Sequence, residues 1–380
     1  MKQGWEIKKL SEICVSSNGL WKGKNPPFTT IAVLRSTNFT KDCKIKLDDV
    51  AYIEVEEKSF AKRRLQKNDI VVERSGGGPN QPVGRVLLFD IEDENYSFCN
   101  FTSALRVLDT TIVSPVYLYR YLAYFYLSGQ TINIQSNTIG LRNLDYTKYL
   151  DISIPVPPIA EQQRIVEILD IEFEKIDALK ANAERNLQQA KDLFQSALKQ
   201  ELQCDKYHNL NEVYNIKTGK LNSNAAEDGG IYPFFTCSRE IFAINTYAFD
   251  CEAILLAGNN ASGDFNVKYY NGKFNAYQRT YIITAKQAGI NVRILYYILT
   301  NYLTTLKKMS LGANTKFLKL GMIENILIPN FDETHMSLVV GRLDDLSKNC
   351  KKLEENYTKT MALCDDMKQA LLRQAFNGEL

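Results

Sequence analysis

The chain has 380 residues, 45% hydrophobic and 24% charged, a globular composition that excludes wholesale disorder, and its length suits two or three domains rather than one. No apolar run approaches the roughly 20 residues that span a bilayer, and the opening Met1-Lys2-Gln3-Gly4-Trp5-Glu6 lacks the apolar core of a secretion signal, so a cytoplasmic protein without a membrane segment is expected. The net charge of +2 divides unevenly: residues 1–160 and 204–330 carry +3 and +4, whereas residues 161–203 and 331–380 carry −3 and −2, as expected of domains facing phosphate alternating with segments facing protein.

In chain order, residues 1–156 read as a first mixed α/β domain. Asn25-Pro26-Pro27-Phe28 matches the tetrapeptide with which amino-methyltransferases hold a flipped adenine. Such an enzyme also needs a Gly-rich strand-to-helix turn for its cofactor, of the Phe-x-Gly-x-Gly type, and none occurs, so a turn before a strand around Thr29 to Leu34 is expected instead. Asp69-Ile70-Val71-Val72 runs as a strand into Ser75-Gly76-Gly77-Gly78-Pro79. That loop lacks the Gly-Lys-Ser/Thr ending of a nucleotide-binding loop. It reads either as a hairpin turn or as backbone that approaches a DNA phosphate, which glycine permits. Tyr117 to Leu122 reads as a short helix. Asp48 with Glu56-x-Lys58 has a spacing too common to indicate a metal nuclease. The eight cysteines are scattered and suggest neither a zinc site nor a disulfide framework.

Pro157 and Pro158 then punctuate a helix start. From Glu161 to Leu202 there is no Gly or Pro, and apolar residues step by three and four through Ile165, Leu169, Ile176, Leu179, Ala183, Ala190, Leu193 and Ala197. Residues 157–203 are therefore expected to hold one long helix, its roughly 42 residues from Glu161 to Leu202 making a rod of about 63 Å. Residues 204–329 read as a second mixed domain, with strands such as Tyr281 to Thr284 between Gly/Asn turns. Residues 330–380 read as a second long helix, with Val339, Leu343, Leu346, Cys350, Leu353, Tyr357, Cys364, Met367 and Leu371 in heptad phase and Thr360 polar among them. The two histidines, His208 and His335, leave no His-rich metal site.

The chain repeats once. Ile152-Ser153-Ile154-Pro155 recurs as Ile326-Leu327-Ile328-Pro329 at an offset of 174, which then carries Ile165, Val166, Leu169 and Asp170 onto Val339, Val340, Leu343 and Asp344, and Leu198-Lys199-Gln200 onto Leu372-Arg373-Gln374. The domains correspond more loosely: Leu10 to Ile13 with Leu210 to Val213, Asp69 to Val72 with Ala253 to Leu256, Tyr117 to Leu122 with Ile294 to Leu299, and Asn137-Thr138 with Asn314-Thr315. Two α+β domains, each followed by a long helix, are expected, with the helices paired as an antiparallel coiled coil around an internal pseudo-two-fold; the alternative is two amphipathic helices, each packed on its own domain.

At Ile154-Pro155-Val156-Pro157-Pro158-Ile159-Ala160-Glu161-Gln162-Gln163-Arg164-Ile165-Val166 and Leu372-Arg373-Gln374-Ala375-Phe376-Asn377-Gly378-Glu379-Leu380 the sequence resembles a type I restriction–modification specificity subunit. The opening Gly4 to Leu10, and Glu73 to Pro79 before Val83-Gly84-Arg85, fit as well. The resemblance covers essentially the whole chain. It departs at Phe331-Asp332-Glu333-Thr334-His335-Met336, where the proline and glutamine run is missing, so the entry to the second helix does not follow from it. The resemblance implies two target-recognition domains reading the halves of a split duplex-DNA site, with the helices as a ruler. It implies docking of two adenine-methyltransferase subunits and, in a larger complex, two restriction/translocase subunits. No cofactor is expected in this chain, S-adenosylmethionine belonging to the methyltransferase. A stand-alone methyltransferase or nuclease, and a coiled-coil adaptor whose domains bind protein, are the rival readings.

Candidate DNA contacts are the polar side chains whose groups match base edges and phosphates: Arg35, Ser36, Asn38, Arg74, Arg85, Asn137 and Arg142 in the first domain, and Lys217, Lys220, Arg239, Asn259, Asn260, Gln278, Arg279, Asn314 and Lys316 in the second. Apolar residues off the helix seams, Val166, Phe173, Leu187, Phe194, Val340 and Met361, are candidates for partner binding or else pack under the flanking domains.

Overall fold

The computed structural model describes residues 4–78, 81–93, 95–138 and 141–380. The chain folds as two compact units, residues 1–182 with 360–380 and residues 183–359.

In the first unit the strand Glu6–Lys9 pairs antiparallel with Ser153–Val156, so the Ile154-Pro155 run returns to the first strand of its own domain just before the long helix. Cys14–Asn18, Thr102–Val107, Ile70–Glu73 and Val86–Leu88 follow one another as antiparallel neighbours. A second sheet has the order Ala51–Glu56, Phe28–Leu34, Tyr96–Phe98. The strand Ile70–Glu73 is apolar at consecutive positions because both its faces are covered: Ile70 and Val72 face Leu118 and Leu122 of the helix Pro115–Leu127, and Val71 faces Leu34, Leu87 and Phe98. The second unit repeats the plan. Tyr207–Asn209 pairs with Leu327–Pro329, and the larger sheet has the order Tyr214–Thr218, Thr280–Ala285, Phe249–Ala257, Val267–Ala276, Tyr232–Phe235, Phe242–Ile244. Ile254 and Leu256 face the helix Val292–Met309, while Ala253 and Leu255 face Phe235 and Phe274.

The long helices are Ile159–Glu201 and Glu333–Asn377. Their starts solve the same capping problem differently. At the first, Gln162 is fully buried: its Nε2 donates to the carbonyls of Pro157 (2.7 Å) and Ile112 (2.8 Å), and its Oε1 accepts the Ser114 N–H at 2.8 Å. At the second, Met336 stands in that place and Asp332 caps the helix, accepting the His335 N–H at 2.8 Å. The missing glutamine is thus replaced by an ordinary acidic cap, and the helix forms regardless.

Within each unit the first turns of one helix run antiparallel to the last turns of the other. In the first unit Ile165 and Leu169 meet Leu372, Ala375 and Phe376, with Lys180 paired to Asp365 at 2.6 Å and Asp177 to both Lys44 (3.1 Å) and Lys368. In the second, Val339, Val340 and Leu343 meet Leu198 and Leu202. Each unit also fastens its domain to its helix through the repeated aspartate. Arg120 reaches Asp170 at 2.5 Å, and Arg293 reaches Asp344 at 2.8 Å, where the Tyr297 hydroxyl also donates to it. Burial works against the Asp344 charge, but these hydrogen bonds and the Arg293 charge outweigh it and hold its carboxyl below the usual range.

The buried stripe is narrower than the sequence suggested. Leu169, Ile176, Ala183 and Ala190 are buried at seven-residue steps in the first helix, and Leu343, Cys350 and, two heptads on, Cys364 in the second. Leu179 and Leu193, read as seam residues, are 46% and 54% exposed, and Leu353 and Met367 are exposed too.

Candidate nucleic-acid interface

In each domain, four segments converge at one edge through an equivalent set of backbone bonds. Leu34 O accepts the Cys99 N–H at 3.0 Å and Phe235 O accepts the Tyr277 N–H at 2.9 Å. Phe101 O accepts the Arg74 N–H at 2.8 Å and Arg279 O accepts the Gly258 N–H at 2.9 Å. Leu20 bridges Cys99 in parallel, and Leu221 bridges Tyr277. The approach is close enough to demand glycine just before each bridge. A Cβ on Gly19 would lie 1.8 Å from the Cys99 carbonyl oxygen, and one on Gly219 would lie 2.0 Å from that of Ala276. A short strand then leaves the central one and pairs with a segment beyond the domain's helix: Ser75–Gly77 with Leu141–Leu144, and Asn259–Asn260 with Lys316–Phe317.

Most of the sequence candidates gather on these edges. In the first domain Arg74 lies over the Tyr146 ring, 4.3 Å from its centroid, with Nη1 donating to Asn18 Oδ1 (2.7 Å) and Ser103 Oγ (3.3 Å). Ser36 donates to the Ser75 carbonyl at 3.4 Å, and the Ser75 and Asn143 side chains meet at 2.5 Å. Arg142 pairs with Asn137 across a hairpin and with Gly77 across the next strand. The Asn137 side chain and Pro79 lie outside the described residues. Arg35 is half-exposed and paired with Asp49 at 2.9 Å.

In the second domain Arg239 is 2.7 Å from Asp264. Asn260 Oδ1 accepts from the Ser262 and Asp264 N–H groups at 2.9 and 3.1 Å, which closes the turn. Asn259 and Lys316 lie on the short strands, Asn314 is exposed in the turn before Lys316, and Arg279 is exposed. Gln278 donates to Asn222 Oδ1 at 3.2 Å. Lys220 is exposed beside Gly219, and Lys217 is exposed on Tyr214–Thr218, opposite Ile282. Beneath the edge, Lys268 is held by Asn266 Oδ1 at 2.6 Å, and burial pushes its pKa below the ordinary lysine value.

Two candidates leave the set. Arg85 is buried against Glu73, with Nε to Oε2 at 2.8 Å and Nη2 to Oε1 at 2.6 Å, and Nη1 donates to the Phe39 carbonyl at 2.6 Å. Burial opposes its charge, but the Glu73 bonds outweigh this and its pKa is raised. Asn38 is fully buried, donating to the carbonyls of Lys46 and Asp49 at 2.9 and 3.1 Å and accepting the Arg35 N–H at 2.8 Å. Asn38 spends both amide N–H groups inside the loop, and Arg85 is buried in it, so neither is presented as an exposed base contact.

Four of the off-seam helix residues follow the second expectation and pack within their own units. Val166 and Phe173 pack with Ile165, Leu169 and Leu372, and Phe173 lies between Arg120 and Lys368. Phe194 meets the Tyr297 ring and Val340 is buried in the same cluster. Leu187 and Met361 are half-buried.

Sequence reasoning passed over Trp21 and Phe101, 73% and 53% exposed at the first edge. The available signal was Trp21 followed closely by Lys22 and Lys24, an aromatic next to basic residues. Asn25-Pro26-Pro27-Phe28 is a turn into Phe28–Leu34, in which Glu56 Oε1 accepts the Lys24 and Asn25 N–H groups at 2.7 Å each. Among the described residues no group of His, Cys, Asp and Glu is arranged to hold a metal, and no helix is long and apolar enough to cross a membrane.

The family model described as type I restriction modification DNA specificity domain matches residues 2–189 and 206–356. The EcoDI specificity subunit of a type I restriction enzyme from Escherichia coli is 36% identical over 171 residues, 45% of this chain and 37% of that protein. The chain thus spans less than half the length of that relative. The HsdS subunit from Thermoanaerobacter tengcongensis shares the fold at 17% identity and a TM-score of 0.62, covering 100% of this chain and 98% of that one. A chain solved in work on assembly and conformational transition of the type I R-M system does so at 18% identity and a TM-score of 0.81, covering 100% and 99%.

Proposed function

This chain belongs to the type I restriction–modification DNA specificity family, and from that premise we propose that it is a DNA-recognition subunit without catalysis of its own, each domain reading one half of a bipartite duplex site. The observation that carries this reading is the duplicated edge: an equivalent backbone frame in both domains, presenting different polar and aromatic side chains. A kept frame with changed side chains is what two readers of unlike DNA words require. Asn25-Pro26-Pro27-Phe28 is spent on a turn, so methyl transfer, and the S-adenosylmethionine it consumes, belong to a partner adenine methyltransferase. Two such subunits dock on the long helices, through the exposed Leu179, Leu193, Leu353 and Met367, since apolar area left in water costs about 25 cal/mol per Å². Restriction/translocase subunits join this core.

Mapping methylated adenine in a host that expresses the chain with its methyltransferase tests the reading. The expected result is a motif of two specified words separated by unspecified bases. A single continuous word, or methylation that does not depend on this chain, would refute it.

A further inference from the structure

The equivalent backbone frames allow the two edges to be compared position by position. Leu20 corresponds to Leu221 and Cys99 to Tyr277, each pair joined by a parallel bridge. Trp21 therefore stands where the second domain has Asn222, and Phe101 where it has Arg279, since Phe101 O and Arg279 O accept equivalent bonds from Arg74 and Gly258. The chemistry at these places is opposite. The first domain presents two exposed aromatic rings, and Trp21 is followed by the exposed Lys22 and Lys24. The second presents a hydrogen-bonded amide pair, Gln278 to Asn222, beside the exposed Arg279.

We propose that the two domains read DNA in different ways at this one place: the first by apolar contact of Trp21 and Phe101 with base edges, the second by hydrogen bonds from Asn222, Gln278 and Arg279. The proposal rests on the DNA-reading function above and goes further by naming the residues and the kind of contact. Two large rings exposed together at one sheet edge are the kind of apolar patch that marks an interaction site. The lysines beside Trp21 make that partner anionic. The apolar group that a DNA groove offers such a ring is the thymine methyl, with the base step itself available to a wedge. An amide pair and a guanidinium match instead the donor and acceptor pattern of adenine and guanine edges.

Trp5 and Trp21 are the chain's two tryptophans, so Trp5→Phe leaves Trp21 as sole reporter in the full chain. Adding a duplex of random sequence at low salt, with binding followed separately by anisotropy of a labelled strand, should lower acrylamide quenching of Trp21 severalfold. Binding with unchanged quenching overturns the assignment. Absence of duplex binding overturns it together with the DNA-reading function. In the complete methylating complex, Trp21→Gln should relax the first half of the methylated motif by about tenfold in preference and leave the second intact, Trp21→Phe should keep both, and Gln278→Ala with Arg279→Ala should relax the second half only. If the Gln and Phe variants behave alike, apolar reading by Trp21 is refuted. Trp21 is exposed, and circular dichroism of each variant checks that it stays folded.

Discussion

Arg85 illustrates how a residue type alone misleads about its use. An arginine after a Gly-rich loop has the fork that guanine recognition needs, yet here it is spent on buried Glu73 and two backbone carbonyls. Breaking a buried pair leaves its partner charged and unsolvated, at about 3–5 kcal/mol. Arg85→Met should therefore lower the unfolding free energy by that order, read as a fall in the denaturant midpoint, and the remaining folded protein should keep the wild-type methylated motif. A stable variant with an altered first half-site would return Arg85 to the reading set. Gln162 was visible in sequence only as part of a motif; its three buried hydrogen bonds explain why an amide, both donor and acceptor, stands at that helix start.

At the level of elements, the long helices were legible because a stretch without Gly or Pro and with three-four spacing has few other solutions. Which apolar residues they bury was not. Spacing fixes a face only to within one neighbour on the helical wheel, and along the middle of the helices the buried positions are the small alanines at 183 and 190 and cysteines at 350 and 364. Leu193 and Phe194 put this to the test side by side. Phe194→Ser should cost about 3 kcal/mol by emptying a packed site, whereas Leu193→Ser should change stability by about 0.5 kcal/mol or less and weaken co-purification with the methyltransferase. Loss of co-purification with Phe194→Ser in a chain that stays folded would restore the off-seam residues as the docking surface. The Asp344 contact adds a pH signature. Its carboxyl is held low by Arg293 and Tyr297 in the folded state, so its contribution is complete above the unfolded aspartate value and fades as the pH falls through the lower folded one. Between neutrality and about pH 3, the wild-type melting temperature should fall further than that of Asp344→Asn; equal falls would remove Asp344 from the anchor.

For the whole molecule, the repeat at offset 174 carried both long helices and the aspartate anchors, whereas the edges escaped because their equivalence lies in backbone bonds rather than in residue types. Trp21 and Asn222 share nothing in sequence, yet each directly follows a bridged leucine. Sequence could show that the domains differ and not where the difference is concentrated. Exchange of residues 204–329 for the equivalent block of a relative should change one half of the methylated motif and leave the other. A change in both halves would show that the edges do not read independently.

Neither the first unit nor its anchoring core is continuous in the chain. Ile165, Leu169 and the tyrosines at 117, 121 and 124 are closed by Leu372, Ala375 and Phe376, the Phe376 ring lying 5.1 to 5.5 Å from the three tyrosine rings. A ribosome adding about 5–20 residues per second would need on the order of ten to fifty seconds to supply that lid after Tyr124 has been made. The first domain is thus born with an open apolar groove that its own distant segment must later find, which makes vectorial synthesis, rather than the equilibrium fold, the stage at which this chain is most exposed to association with the wrong partner.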